Sequence, residues 1–390
     1  MKEKQKRKKV HSPFRNFLYK ISRNGFFYAA LTLVIATCFI IGVIVNKDVG
    51  KIENLPDTTK NSTVRIDELD NLEVCFLDVG QGDATLIKFP DGKTMLIDGG
   101  RTGADTERIL DKYLTDENGD KLTIDYCVAT HSDEDHVGSL GYVYKNYTVL
   151  NSFRPYVKAL TSDVSDGFND GKIIKDTPSD AYGDYVAAAE KEKCYYEYFD
   201  DSSDFTNTVI CGDQTFTYSV DFVLPYAAKY TDFEKFDDSN DFSAVIAVSY
   251  ADKRILLCGD MGKDRETDIL NAYKTDPIRM KCDVLKVAHH GSENSSGRAF
   301  ISAVDPDYAV ISCGLENSYG HPSKKVVDEL LGKATIYRTD MQGVIKLVIT
   351  ADPSDDIAFS VECDKNDDYL YYSPAEYAPY INIIKGNKKR

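Results

Sequence analysis

Six positions, 131 to 136, hold the densest chemistry in the chain. His131-Ser-Asp-Glu-Asp-His136 sets two imidazoles and two inward-looking aspartates, Asp133 and Asp135, at the end of the apolar run Tyr126–Ala129. A strand that stops in a tight turn can converge such side chains on one point. Imidazole nitrogen and carboxylate oxygen together suit zinc, manganese or iron(II). The plainer reading is a solvated acidic loop, but the chain has only six histidines and two fall here. Polar groups recur at the ends of three other apolar runs: Asp98 after Thr94–Ile97, Asp260 after Ile255–Cys258, and His289 with His290 after Cys282–Ala288. Strand-end loops are where α/β folds keep their chemistry. Histidines and carboxylates drawn from several strands can hold two divalent ions about 3.5–4 Å apart. One ion would polarise a scissile bond, and the pair would convert water to hydroxide.

The elements that must position these groups follow from hydrophobic period. Leu72–Val79, Ala84–Phe89 and Thr94–Asp98 read as three strands, joined by turns at Gly80–Asp83 and Pro90–Lys93. Residues 105–114 show helical spacing, and Ile124–Thr130 is the strand that delivers His131. Residues 150–235 are the least legible, with a helix around 185–193 and strands around 214–224. Beyond them come a hairpin (242–250, 255–258), a helix from 264 to 273, and strands at 282–288 and 307–312. A helix at 324–331 and closing strands at 335–338 and 343–349 finish the pattern. Strands in a meander, then helices alternating with strands, predict sheet covered by helices.

Charge divides the chain. Residues 1–25 carry nine lysines and arginines against Glu3 alone, a net of +8, which leaves −24 on the remainder of a chain whose total is −16. So acidic a body repels nucleic acid at long range. Residues 26–45 contain no charge and are long enough, at 1.5 Å per residue, to cross a bilayer's hydrocarbon core as a helix. With the basic flank on the cytoplasmic side, the rest of the chain is expected outside the cell membrane. The expected organisation is a cytoplasmic tail (1–25), a transmembrane helix (26–45), a linker (46–71), a hydrolase domain (72–350) and a Tyr-rich extension (351–390). Nine cysteines show neither CxxC spacing nor a dense disulfide pattern, and Cys194–Cys211 is the one candidate bridge.

Together, and in this order over 72–350, several motifs resemble a known family: Phe76-Leu-Asp-Val-Gly-Gln-Gly-Asp83, Leu96-Ile-Asp-Gly-Gly100, Thr130-His-Ser-Asp-Glu-Asp-His-Val-Gly138 and Asn240-Asp-Phe-Ser243. They continue with Leu256-Leu-Cys-Gly-Asp-Met261, Ala288-His-His-Gly-Ser292 and Asn317-Ser-Tyr-Gly-His-Pro322. The family is the metallo-β-lactamase fold superfamily, and the details look closest to the external hydrolase domain of ComEC-type competence (DNA-uptake) proteins. The resemblance implies an α+β, four-layer αβ/βα sandwich with two divalent metal ions, zinc or manganese, at the edge between its sheets. It assigns His131 and Asp133 to the first ion. Asp133 stands where many relatives have a second histidine, which favours a harder ion. Asp135 and His136 would bind the second, with Asp135 also orienting the attacking water. Asp260 would bridge both, and His289 or His290 would complete the second site, with His290 preferred. The histidine usual before Gly-Asp is missing, and the region offers only Asn240 and Ser243.

Asp83 would touch substrate or cap the next element, and Asp98 would support the ligands or shape a turn. His321 would act on the leaving group or sit in a plain loop, and Ser292 would donate to an oxyanion or cap a helix. Competence proteins of this type also carry a many-helix channel, so one apolar segment predicts a membrane-tethered relative rather than a translocase. The expected activity is phosphodiester cleavage. Hydrolysis of a lactone, thioester or β-lactam is the alternative, and a non-catalytic metal-binding surface module is the second. The expected partners are a small hydrolysable substrate and the membrane, with nucleic acid open despite the acidic surface.

Overall fold

The computed structural model describes residues 61–362 apart from 166, 176–177, 201–202, 225–235 and 237. The expected transmembrane segment, 26–45, lies outside these residues. Among the described residues no helix is long and apolar enough to cross a membrane.

The first half of the fold runs β1 (Thr63–Ile66), β2 (Leu72–Phe76), β3 (Thr85–Lys88), β4 (Thr94–Ile97), α1 (Ala104–Tyr113) and β5 (Ile124–Val128). It continues through α2 (Glu134–Val137), α3 (Leu140–Asn146), β6 (Val149–Arg154), α4 (Asp180–Glu192), β7 (Tyr195–Tyr198), β8 (Phe205–Cys211) and β9 (Gln214–Leu224). The second half runs β10 (Val245–Tyr250), β11 (Lys253–Leu257), α5 (Lys263–Ala272), β12 (Val284–Lys286), α6 (Arg298–Val304) and β13 (Tyr308–Ile311). It closes with α7 (Lys324–Leu330), β14 (Thr335–Arg338), α8 (Thr339–Gln342), β15 (Ile345–Ile349) and β16 (Ala358–Val361).

These strands make two eight-stranded sheets. One has the order β1-β8-β9-β10-β11-β12-β13-β14, the other β16-β15-β2-β3-β4-β5-β6-β7. Both combine hairpins with parallel crossovers: β10 pairs antiparallel with β11, while β11 to β14 run parallel. The parallel strands read as continuous apolar runs because both of their faces are covered. Val74, Phe76, Ile87 and Tyr126 of one sheet pack against Val220, Phe222, Ile246 and Ile255 of the other. The outer face of the first-named sheet buries Ile269, Phe300, Ile301 and Leu330 from α5, α6 and α7. That of the second buries Leu110, Leu140, Tyr182 and Tyr185 from α1, α3 and α4. The result is a helix–sheet–sheet–helix sandwich.

Three differences from the sequence reading have local causes. Strand β1, within the expected linker, and β16, within the expected extension, are four-residue strands at sheet edges. Such short edge strands lack the buried apolar run that marks a strand in sequence. Helix α4 begins at Asp180 rather than near 185, because Ser179 caps it by accepting from the Tyr182 amide at 3.2 Å. Cys194 and Cys211 are free thiols, so no bridge joins them.

Candidate metal centre

The ends of β4, β5, β11 and β12 meet, and each delivers polar groups. Strand β5 runs into Thr130 and His131, and α2 is a single turn closed by His136 and Val137 amides donating to the Asp133 carbonyl at 3.1 and 3.0 Å. That turn returns His136 beside His131, with ring centroids 4.1 Å apart. After β12, His289 and His290 both adopt left-handed backbone, φ 52° and 53°. Non-glycine residues seldom sit there, and such outliers gather at functional sites.

The carboxylate of Asp260, 2% exposed, is the hub. Its Oδ1 lies 3.2 Å from His136 Nε2, and its Oδ2 lies 3.4, 3.7 and 4.0 Å from Nε2 of His290, His289 and His131. Asp133 Oδ2 is 3.6 Å from His131 Nε2, and Asp135 Oδ2 is 3.4 Å from His290 Nε2. The protons on the rings follow from their outer partners. His136 Nδ1 faces Asp98 Oδ2 at 2.7 Å, and His290 Nδ1 faces the Ser312 carbonyl at 3.0 Å; both acceptors oblige Nδ1 to donate. Thr130 Oγ1 gives its proton to Asp98 Oδ2 at 2.7 Å and so accepts from His131 Nδ1 at 3.0 Å. In its neutral form each of the three rings therefore turns an Nε2 lone pair inward, and in the metal-free protein these are the nitrogens that take up a proton. The Nε2 atoms of His136 and His290 stand 3.4 Å apart, and among the described residues His131 Nε2 and Asp260 Oδ1 have no hydrogen-bond partner. Inward lone pairs and buried carboxylate oxygens with nothing to accept from fit a divalent cation.

Electrostatics agree. Burial works to raise the Asp260 carboxyl, but His290 and His136 outweigh it and hold the group well below the ordinary carboxylate range. Burial also acts against Asp135, which the His290 hydrogen bond and the His136 charge bring down to about 2. Burial opposes charge on His136, yet Asp260 and Asp98 lift it well above 6.5. His131 and His290 rise as well, against burial, through Asp133 and Asp260 respectively. A centre that attracts protons this strongly attracts cations by the same field.

A family model described as the metallo-beta-lactamase superfamily matches residues 77–151 and 231–315, the two stretches that carry these groups. The chain contains a metallo-beta-lactamase superfamily domain. It is 28% identical over 290 residues to ComE operon protein 3 of Bacillus subtilis, covering 70% of this chain and 32% of that protein. It is 26% identical over 279 residues to Recombination protein 2 of Haemophilus influenzae, covering 70% and 28%. The chain thus spans a third or less of the length of these curated relatives. Among solved structures, the metallo-beta-lactamase fold protein YhfI from Bacillus subtilis is similar over 71% of this chain and 99% of its own, at 11% identity and a TM-score of 0.41.

Within this metallo-beta-lactamase domain the remaining sequence-predicted residues take distinct places. His290 is 2% exposed at its side chain and faces Asp135 and Asp260, whereas His289 is 29% exposed and faces Asp260 alone. Ser243 accepts from the Asp260 amide at 3.2 Å and so sets the hub. Asn240 Oδ1 is buried without a partner, on the turn whose Ser239 donates to Asp133 Oδ1 at 2.5 Å. Ser292 accepts from the Asn294 amide at 3.3 Å within a turn and caps no helix N-terminus, since α6 begins at Arg298 after Gly297. His321 lies at the rim with its ring 5.8 Å from that of His289; burial and the neighbouring His289 and His290 hold it below 6.5. Asn317 fixes that loop by donating to the carbonyls of Gly314 and His321 and accepting from the His321 amide. Tyr319, 63% exposed, lies almost parallel to the His321 ring, at 16° and 5.8 Å.

Sequence reasoning missed Ser239, Thr130 and, above all, Lys286. The buried ammonium of Lys286 donates to Asp83 Oδ2 at 2.6 Å. A lysine inside the apolar run Val284-Leu-Lys-Val-Ala288 was the available signal.

Proposed function

We propose that this domain is a two-metal hydrolase of phosphodiester bonds, tethered outside the cell membrane by residues 26–45. The observation that carries the reading is the donor set: three inward imidazole lone pairs share one centre with a majority of carboxylate oxygens. Charge supports a pair of ions. Among the described residues, Asp83, Asp98, Asp133, Asp135 and Asp260 meet a single ammonium, Lys286. Four negative charges are left over, which two divalent ions balance. An oxygen-rich set favours manganese or zinc, and phosphoryl oxygen is the substrate group such ions engage. The similarity to ComE operon protein 3 and Recombination protein 2 supports a nucleic-acid context.

His131, Asp133 and Asp260 would hold one ion; Asp135, His136, His290 and Asp260 the other. Bound there, the ions would supply Lewis-acid polarisation and an acidified water. Asp135, ionised at any physiological pH, would accept a hydrogen bond from that water and orient it. His321, neutral at pH 7, can donate to the leaving oxygen from the rim. Tyr319 offers an exposed ring face on which a nucleobase can stack. The acidic body favours a second reading, a small uncharged substrate such as a lactone, because it repels long polyanions.

The test is the detergent-solubilised full chain, with metal content measured and phosphodiester, lactone and β-lactam substrates assayed beside Asp135→Ala. Two divalent ions per chain and phosphodiester turnover lost in the variant are expected. Protein without bound metal, or turnover that survives Asp135→Ala, defeats the proposal.

A further inference from the structure

Lys286 ends β12 inside the sandwich at 3% exposure, where a charged side chain needs a partner. Its Nζ donates to Asp83 Oδ2 at 2.6 Å and to the Val287 carbonyl at 3.2 Å. Only one oxygen of Asp83 is engaged in this way. Asp83 Oδ1 is buried, accepts no hydrogen bond and lies 3.7 Å from His290 Nδ1, whose proton is directed to Ser312. Donor atoms of Asp83, His136, Asp260 and His290 all fall within 4.8 Å of one another, and all four residues are buried.

The backbone holds Asp83 against the same cluster. Its amide donates to the Asp135 carbonyl at 3.1 Å, and its carbonyl accepts from Gly100 at 2.8 Å. A carboxylate whose only task was to neutralise Lys286 would be expected to spend both oxygens on donors, because buried acceptors are satisfied as a rule. Here one oxygen is pinned by the ammonium, and the other, buried without a hydrogen-bond partner among the described residues, lies beside His290 in the cluster that also holds His136 and Asp260.

We propose that Asp83 is itself a ligand of the metal centre, a further carboxylate beside Asp260, His136 and His290, and that Lys286 is the residue that positions it. The added oxygen donor suits a hard divalent ion such as Mn2+. The inference rests on the metal-hydrolase reading above.

The test compares the full chain with Asp83→Asn, Lys286→Met and the double variant Asp83→Asn/Lys286→Met. Mn2+ affinity is read by calorimetry, Co2+ coordination by its visible absorption, and folding by thermal melting in chelator. Asp83→Asn is expected to weaken one Mn2+ site at least tenfold and to alter the Co2+ spectrum. Lys286→Met leaves Asp83 unpaired and is expected to lower the chelated melting temperature. The double variant regains that stability while its Mn2+ affinity stays low, a result that a merely structural ion pair would not give. Wild-type Mn2+ affinity and Co2+ spectrum in Asp83→Asn or in the double variant overturn the proposal while leaving the hydrolase reading intact. A wild-type chain that binds neither ion overturns both.

Discussion

Asp98 makes the clearest single-residue prediction because it touches no inward-facing atom of the centre. Its carboxylate takes the Nδ1 proton of His136 and the Thr130 hydroxyl and amide protons, and its backbone sits at φ 60°. Asparagine tolerates that backbone, so Asp98→Asn changes only the acceptor that fixes the imidazole. Loss of such an outer partner costs roughly 10–100-fold in metal affinity. A metal titration of Asp98→Asn showing wild-type affinity would refute the tautomer argument. The two adjacent histidines separate by the same logic. His290→Ala is expected to lower metal stoichiometry, while His289→Ala, exposed and in contact with Asp260 alone, keeps it; elemental analysis of the two purified variants decides between them. At the rim, Tyr319→Ala should raise KM for an oligonucleotide severalfold, since stacking of a base is worth about 1–3 kcal/mol. The same variant should leave KM for a phosphodiester without an aromatic base unchanged, and equal effects on both would remove Tyr319 from base recognition.

At the scale of elements, the turn after β2 must press against the single helical turn α2. A Cβ on Gly82 would come within 2.3 Å of the Asp135 carbonyl oxygen, the same oxygen that accepts from the Asp83 amide, and φ there is +149°. Gly92, at φ +80°, has nothing within 4 Å of such a Cβ. Gly92→Ala therefore carries only the left-handed penalty of about 1–2 kcal/mol, while Gly82→Ala adds an overpacking term of roughly 1–3 kcal/mol. Gly82→Ala should also weaken metal binding, and Gly92→Ala should not. Denaturant unfolding with a metal titration on each variant measures both effects, and equal losses would refute the clash. The same region explains what sequence could reveal. Strands β2 to β5, β10 to β13 and β15 were legible because they are internal to their sheets and apolar, β14 because its edge position still buries Ile336 and Tyr337, and the chemistry at the strand ends was legible because His and Asp are conspicuous after such runs. Strands β6 and β8 were not, because Asn151, Ser152 and Arg154 in the one and Asn207 in the other are buried polar residues that interrupt the apolar signal. Lys286 was overlooked for the converse reason. Its partner, Asp83, lies 203 residues away, and periodicity carries no information about such a pairing.

For the whole molecule, the centre concentrates negative charge where the two sheets meet, and that ties stability to both pH and metal. In the metal-free protein the pKa values of His131, His136 and His290 all lie above 6.5. A group raised in the folded state contributes stability that is fully present below its unfolded value, near 6.5, and is lost as pH rises through the folded value. Asp260 and Asp135 act at the other end: held below the usual range, they contribute above about pH 4 and fade as pH falls through their folded values. The chelated protein should therefore lose stability as pH rises from about 6 to 8. Metal acts in the opposite sense, because it binds the rings only after they have released their protons, so its affinity grows over the same interval. At a free ion concentration of 100 Kd each site adds about 2.7 kcal/mol, several degrees of Tm in a domain of this size. The gap in Tm between metal-loaded and chelated protein should widen steadily from pH 6 to pH 8, and calorimetry should record proton release on metal binding. A gap that stays constant or narrows across that range would mean that the imidazoles are not the groups the metal displaces protons from, and the centre built around Asp260 would lose its cation.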